Sequence, residues 1–443
     1  MQDWETPFNQ LVDALLPQLN DDEHMRITLV GEESQFTRFN QAKVRQTGSV
    51  INGSLTLTLM VNQRVANESL SFTGNKKVDW PLLLATLQGL RKELVQLPPD
   101  PHLVLPQGDA QSREVYPGQL LSPEAVVPNV LPKLAGLDAA GLYAGGRSLQ
   151  AYADSAGQRH WFETETFTLD YSLFTKQGQA VKGIYAGRIW QDAAYVDTLA
   201  ASKALLEQTE YPPKPMERGQ YRTFLAPAAT ADLVSMLSWG GIGEASIRRG
   251  GSGLGPLQRQ ERLLAPQVQL TEDFSLGQVP RFNQYGELAP QTLSLITSGR
   301  LVNTLVSART AKEYNIPSTY AEAGEYLRSP RLSPGTLPTA EVLAALDTGL
   351  YVSNLHYLNW SDRPQGRITG MTRYACFWVE HGKIVAPIEN LRFDESLYNF
   401  WGDNLIDLTQ EETFVPEVSS YGYRDLGGIM VPGMLVNNFA YTL

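Results

Sequence analysis

The alternation of leucine and threonine over residues 55–59 constrains the fold of this 443-residue chain more than any other pattern in it. A period of two places the leucines on one face and the hydroxyls on the other, which is typical of a strand with one buried face. Shorter runs of the same kind surround it at residues 26–30, 35–39, 43–47 and 64–71. Asn52 and Gly53 fall between two of these runs and form a common hairpin dipeptide. The first part of the chain is therefore predicted to form an antiparallel meander.

Helices are predicted on both sides of this meander. Trp4, Phe8, Leu11 and Leu15 recur at helical spacing, so the chain is expected to begin with an amphipathic helix. A second helix is predicted over residues 80–97, where leucines recur at similar intervals. Helix, antiparallel sheet and helix together indicate an α+β fold, with an N-terminal antiparallel sheet and flanking helices.

The middle of the chain contains the predicted domain boundary. Prolines make residues 98–132 an expected irregular segment, whereas alanine and leucine predict a helix over 192–208. The proline-rich run at 211–215 prevents that helix from continuing, because proline lacks a backbone donor and disfavours helical geometry before it. We therefore expect an α+β domain over residues 1–215 and a β-rich domain over residues 216–443.

The second half is predicted to be dominated by short strands and turns. A strand at 221–226 leads into Pro227 and a helix over 229–237, and glycine-rich sequence follows at 240–255. The remaining strand-like runs are separated by turn residues. This pattern predicts a β-rich C-terminal domain.

Composition excludes several classes of function. The net charge of −11, from 36 basic and 47 acidic side chains, disfavours binding to nucleic acid. The single cysteine, Cys376, cannot form an intrachain disulfide, and no apolar run is long enough for a membrane span. The start of the sequence is acidic, whereas a secretory signal needs a basic start and an apolar run. These features predict a reduced, cytoplasmic protein.

No catalytic constellation is evident in the sequence. The histidines lack partners at zinc-ligand spacing, and they are His24, His102, His160, His356 and His381. Cys376 lies in an apolar run, which favours a buried, inert thiol over a nucleophile. The glycines of residues 250–255 match neither a Walker motif nor a dinucleotide fingerprint, so they indicate a loop. No catalytic or metal-binding residue is predicted from these patterns alone.

Several segments in fixed order resemble one protein family. Phe282 to Glu287 is similar to a family turn written F-D-x-E-G, although Asn283, Gln284 and Tyr285 stand where acidic residues are usual. The other matching segments are residues 34–40, 219–237, 295–305, 309–314 and 366–387. Their order and spacing resemble the TldD/PmbA family, some of whose members are labelled modulators of DNA gyrase. The resemblance extends over the whole chain and is firmest after residue 216.

This resemblance implies a zinc site that the chain itself does not match. The family's catalytic subunit carries a His-Glu-x-x-x-His motif on the helix after the proline turn, and a cysteine ligand near its C-terminus. The corresponding positions here hold approximately Ser235, Met236 and Gly240, and residues 419–425 contain neither cysteine nor histidine. The sequence therefore resembles the TldE/PmbA branch, whose members lack the motif and pair with TldD.

Three functions remain open at this point. The resemblance implies a non-catalytic subunit of a heterodimeric zinc metallopeptidase that processes unfolded peptides, with the zinc in a TldD-like partner and no cofactor on this chain. Alternatives are a stand-alone peptide- or protein-binding regulator, or an enzyme whose ligands come from His160, His356 and His381. Arg328 and Arg331, in the glycine- and proline-containing segment 320–337, are the predicted peptide-contacting residues. A homodimer is also possible for such a chain.

Overall fold

The computed structural model describes residues 3–442 and contains two β-sheets, each made from one half of the chain. The first sheet is antiparallel except where its fourth strand joins the sixth, and it has the order β3-β2-β1-β5-β6-β4, with β7 on β6. Its strands are β1 (His24–Asn40), β2 (Lys43–Val61), β3 (Arg64–Ser71), β4 (Gln111–Tyr116), β5 (Asp138–Asp154), β6 (Arg159–Phe174) and β7 (Ala180–Gly187). The predicted antiparallel sheet is confirmed.

Helices cover the first sheet, as predicted. They are α1 (Glu5–Leu15), α2 (Lys76–Leu94), α3 (Pro123–Val130) and α4 (Asp192–Thr209). The predicted stripe of Trp4, Phe8, Leu11 and Leu15 is buried against the leucines of β1 and β2. The helix α2 begins earlier than predicted because the side chain of Asn75 caps it, accepting a hydrogen bond from the backbone of Lys77 at 3.1 Å.

The hairpin predicted at Asn52 and Gly53 is wrong. Both residues lie inside β2, where Gly53 pairs with Gly31 of β1. A Cβ atom on Gly53 would lie 2.1 Å from the indole of Trp4, so the glycine leaves room for that ring. The chain instead turns between β1 and β2 at Gln41 and Ala42, which both have a φ of +53°.

The second sheet is larger and mixed. Its order is β11-β10-β9-β12-β18-β16-β14-β13-β8, with β15 on β14 and β17 on β18. Its strands are β8 (Gly219–Leu225), β9 (Leu270–Asp273), β10 (Thr292–Thr297), β11 (Arg300–Leu301), β12 (Pro330–Leu332), β13 (Gly349–Asp362), β14 (Arg367–Glu380), β15 (Lys383–Pro387), β16 (Arg392–Ser396), β17 (Leu405–Pro416) and β18 (Gly428–Tyr441). An additional pairing of β18 with β8 closes a circuit of strands. The predicted α+β fold is therefore confirmed.

Short helices connect the strands of this half. They are α5 (Pro227–Ser235), α6 (Glu244–Arg248), α7 (Gly255–Gln258), α8 (Ala308–Tyr314) and α9 (Val342–Leu346). Single 3₁₀ or π turns lie at Leu16–Gln18, Leu131–Leu134, Met236–Ser238, Phe274–Leu276, Thr339–Glu341 and Asn399–Asp403. The segment 98–132, predicted to be irregular, contains β4 and α3. Among residues 3–442, no helix is long and apolar enough to cross a membrane.

The two sheets contact each other through the loop at residues 282–287. The guanidinium of Arg26 on β1 lies 5.1 Å from the ring centre of Tyr285 and donates to the carbonyl of Gln284 at 3.3 Å. An ion pair of 2.5 Å joins Arg281 to Glu114 of β4. The division into domains 1–215 and 216–443 stays a prediction, but these contacts hold the two halves side by side.

Candidate functional site

The helix α5 begins immediately after β8 because Pro227 occupies its first turn. Proline fixes φ near the helical value, and the donor it lacks is not needed at this position. The helix buries Leu233 and Val234 in the core of the second half. The turn Met236–Ser238 continues it, and Gly240 then adopts a φ of +74°, where the chain changes direction.

The C-terminal end of α5 borders a cleft of about 490 Å³. Its other walls come from residues 322–330 and 417–429, and one side chain comes from the first sheet. The polar side chains that line it are Gln150, Ser235, Ser238, Glu322, Arg328, Glu417 and Asp425. The cleft therefore lies where the two halves of the protein meet, a common position for binding sites.

Carboxylates with altered proton affinity surround this end of α5. Burial, with a smaller contribution from the nearby charge of Glu417, raises the pKa of Asp232 to about 7. One oxygen of Asp232 accepts a hydrogen bond from the backbone N–H of Leu355 at 3.2 Å. Burial also raises the pKa of Glu417, with a further contribution from Asp425. Near neutral pH, Asp232 is therefore able to exist in either protonation state.

Arg424 fixes the loop that carries Asp425 onto the first sheet. Its backbone N–H donates to the carboxylate of Glu32 at 3.0 Å. Its guanidinium donates to the carbonyl oxygens of Gly146 at 3.2 Å and Thr166 at 3.0 Å. Charge-assisted hydrogen bonds of this kind are stronger than neutral ones, so one wall of the cleft is tied to the opposite half of the protein.

Arg328 lies in the cleft, but its donors are already bonded. Its guanidinium donates to backbone carbonyl oxygens at 3.0 to 3.2 Å, in Pro280, Arg281, Phe282 and Tyr320. It lies 3.7 Å from Glu322, and its side chain is 9% exposed. Its backbone N–H donates to buried Glu272 at 2.8 Å. Burial raises the pKa of both Glu272 and Glu322, while the charge of Arg328 opposes the rise.

Arg331 lies on β12, on the same segment but outside the residues that line the cleft. Its guanidinium forms a two-pronged ion pair with Glu412, at 2.9 and 2.6 Å, and contacts Asp273 at 3.0 Å. The Arg331 side chain is 38% exposed. The structure therefore does not bring the two predicted arginines together at one surface.

The histidines are not gathered at one place. His160 is buried beside Phe282, and its ring nitrogens bond to the hydroxyl of Ser112 at 2.8 Å and the carbonyl of Gly286 at 3.0 Å. Burial lowers the pKa of His160, so the neutral ring is favoured. His356 lies against the ring of Tyr357. The structure does not favour the alternative in which His160, His356 and His381 form one site. His160 belongs to the contact between the sheets, His356 lies on β13, and His381 lies between β14 and β15.

Comparison with known proteins assigns the family. Residues 218–442 match the model of the PmbA/TldA metallopeptidase C-terminal domain, which is about half of the chain. The chain belongs to the TldD/TldE (PmbA) family. A sequence comparison with curated proteins finds no match.

Solved structures of the family share the whole fold. TldE from Thermococcus kodakarensis superposes with a TM-score of 0.80 at 13% identity, over 99% of this chain and 100% of that one. Two similar structures have names that refer to modulation of DNA gyrase, and both have a TM-score of 0.78. The structure from Thermotoga maritima is 13% identical, and the match covers 98% of this chain and 100% of that one. The structure from Bacteroides thetaiotaomicron is 14% identical, and the match covers 99% of this chain and 98% of that one.

The residues at the C-terminal end of α5 and in the turn after it do not fit the zinc site that the family resemblance implies. The hydroxyl of Ser235 donates to the carbonyl of Asp232 at 2.7 Å, and Met236 is 4% exposed in the apolar core. Gly240 has no side chain. Among residues 3–442, no group of three or more His, Cys, Asp or Glu is placed to hold a metal ion.

No sequence pattern groups the carboxylates around the cleft. Asp232, Glu322, Glu417 and Asp425 come from three segments that lie far apart along the chain. No spacing rule joins such positions, since only the fold brings them together. A partial signal was present at Asp232, which is an acidic residue in the otherwise apolar helix at 229–237.

Proposed function

We propose that this chain is the non-catalytic subunit of a TldD/TldE-type heterodimeric zinc metallopeptidase that degrades or processes unfolded peptides. The observation that carries the proposal is the content of the last residue of α5 and the turn after it, where Ser235, Met236 and Gly240 occupy the approximate positions of the family's zinc motif. The fold similarity to TldE from Thermococcus kodakarensis supports it. In this proposal the zinc ion and the motif glutamate belong to a TldD-like partner in the cytoplasm.

The role of this chain would be to complete a peptide-binding cleft. Two subunits of one fold can pair through equivalent surfaces, so the cleft beside α5 would correspond to the catalytic cleft of the partner. The carboxylates of Glu322, Glu417 and Asp425 give this side of the cleft an acidic lining. Peptide backbone and cationic groups are the ligands that such a lining favours.

The predicted peptide contacts of Arg328 and Arg331 belong to the same proposal. Because Arg328 is bonded to backbone carbonyls, its role would be to hold the cleft wall in position. Arg331 is 38% exposed and can exchange one of its carboxylate partners for that of a peptide. Substituting both by alanine should slow peptide turnover by the complex. The single Arg331→Ala variant separates peptide contact from damage to the fold, and unchanged turnover by it would exclude a contact at Arg331.

The test is peptide cleavage read by mass spectrometry, with the purified chain alone, a TldD-like chain alone, and the two mixed. We expect no cleavage by this chain, cleavage by the mixture, and its loss with a zinc chelator. A mixture in which the partner's motif glutamate is replaced by glutamine serves as the control and should be inactive. Chelator-sensitive cleavage by this chain alone would contradict the proposal.

The second candidate function is a stand-alone peptide- or protein-binding regulator. Two structures with the same fold have names that refer to modulation of DNA gyrase, which favours keeping this candidate. The net charge of −11 favours contact with a protein over contact with DNA. Two results together would select this candidate. The purified chain would change supercoiling by gyrase, and mixing it with a TldD-like chain would produce no peptide cleavage. Sedimentation of the chain alone and of the mixture distinguishes homodimer from heterodimer.

A further inference from the structure

A second and larger groove lies on the first sheet, apart from the cleft beside α5. Its volume is about 1100 Å³, and its walls are formed by β1, β2, β5, β6, β7 and the loop at residues 419–424. The lining of the groove includes the half-buried side chains of Phe36, Val50 and Leu142. Its size is that of a site for several residues of an extended peptide.

The charges that line this groove are opposite in sign to those of the whole protein. Four basic and two acidic side chains line it, whereas the complete chain carries a net charge of −11. The acidic residues are already satisfied. Lys182 forms an ion pair with Asp170, and Glu32 accepts a hydrogen bond from the backbone of Arg424. The remaining basic residues of the groove are Arg38 and Arg45.

Arg38 and Arg45 have exposed side chains. Neither has an ion pair or a side-chain hydrogen bond within the described part of the chain, residues 3–442. An arginine guanidinium is always charged and presents a planar set of donors that suits a carboxylate. Two such groups in one groove are therefore available to bind anionic side chains.

A β-bulge places these two arginines next to each other. Arg38 pairs with Gln46, while the following residue, Phe39, pairs with Val44. Arg45 is therefore the extra residue of β2 at this point, and two residues of β2 lie opposite Arg38. Bulges redirect side chains, and this one leaves both Arg38 and Arg45 lining the same groove.

We propose that this groove binds an acidic, extended peptide segment, with carboxylates of the segment on Arg38 and Arg45 and its apolar side chains on Phe36 and Leu142. Carboxylates from Glu32 and Asp170 also line the groove, so it is not a continuous basic surface for a nucleic-acid backbone. The proposal is independent of any proteolytic role, since it concerns binding by this chain alone.

The experiment uses the purified full chain and a fluorescein-labelled peptide in which glutamate alternates with leucine. A peptide of the same length with glutamine in place of glutamate is the comparison, and binding is followed by fluorescence anisotropy at low and high salt. We expect the glutamate peptide to bind more tightly, with the difference reduced by salt. Equal affinity for the two peptides would overturn the proposal.

Two double variants test where on the protein the peptide binds. Arg38→Gln combined with Arg45→Gln should lower the affinity for the glutamate peptide by about fivefold to tenfold, which is the loss expected for two exposed ion pairs. Arg249→Gln combined with Arg300→Gln is the matched control, because both of these arginines are exposed and lie in the second half. Unchanged affinity of the first double variant, or an equal loss in the control, would refute the assignment. Tighter binding of a single-stranded oligonucleotide than of the glutamate peptide would also refute it.

Discussion

Replacing Asp232 by asparagine should make the protein more stable at alkaline pH. In the folded chain, burial raises the pKa of Asp232 from its ordinary value of 3.8 to about 7. The unfolded chain therefore loses this proton at a lower pH than the folded chain does. Stability falls as pH rises from about 4 to about 7, because only the unfolded state is then free to ionise. Above pH 7 the folded carboxylate is charged, and the loss is complete.

The size of the effect follows from the same values. One pKa unit corresponds to about 1.36 kcal/mol, so the complete change would cost about 4 kcal/mol. At pH 6 about 3 kcal/mol of this cost is already present, because the unfolded carboxylate is ionised while most of the folded carboxylate is still protonated. Asparagine keeps an oxygen that can accept the hydrogen bond from Leu355. The variant should thus lose the charge without losing the contact.

The assay is urea unfolding of the full chain at pH 6 and pH 8.5, followed by tryptophan fluorescence. The advantage of Asp232→Asn over the parent should grow by about 1 kcal/mol between these two pH values. Asp197→Asn, a change at an exposed position on α4, is the control and should show no such growth. Glu417→Gln should lower the pH at which the effect saturates, since Glu417 raises the pKa of Asp232. An advantage that is equal at both pH values, or a variant less stable than the parent at pH 8.5, would refute this reasoning.

Two further predictions concern stability and reactivity. Arg328→Ala should lower the free energy of unfolding by about 3 to 5 kcal/mol, because it removes the cation that faces buried Glu272 and half-buried Glu322. Arg331→Ala should cost about 1 kcal/mol. Urea titration of both variants checks this, and similar losses would contradict it. Cys376 is 2% exposed and burial raises its pKa, so an aromatic disulfide reagent should label it about tenfold or more slowly in native than in unfolded protein. Equal labelling rates, measured by absorbance, would show that the thiol is accessible.

The hydrophobic periodicity of the sequence predicts the first half of the fold well. The stripe from Trp4 to Leu15 and the alternation at residues 55–59 depend only on neighbours along the chain, and both are found in the structure. Gly53 shows where such reasoning fails. Its dipeptide is typical of a turn, but the indole of Trp4 requires a residue without a side chain at that point. The packing of Trp4 against β2, two segments far apart along the chain, therefore determines the conformation at Gly53.

The candidate site was less predictable than the fold, for a related reason. Resemblance to the family located α5 from residues 219–237, including the proline turn before it. The altered pKa of Asp232, however, results from burial by the fold and from Glu417, which follows it by almost half of the chain. Arg328 was predicted to contact a peptide because it lies in a loop. Only the structure shows that its guanidinium already donates hydrogen bonds to backbone carbonyls of another loop, those of Pro280 and Phe282.

The position of β18 in the second sheet has a consequence for synthesis on the ribosome. This strand pairs with β8, the first strand of that half, and also with β12, β16 and β17. It is nevertheless the last strand of the sheet to be translated. Until it emerges, β8 lacks its antiparallel neighbour, and apolar strands of the nascent chain stay exposed to unwanted pairing. The first half can fold during this delay, so translation itself would separate the assembly of the two sheets in time.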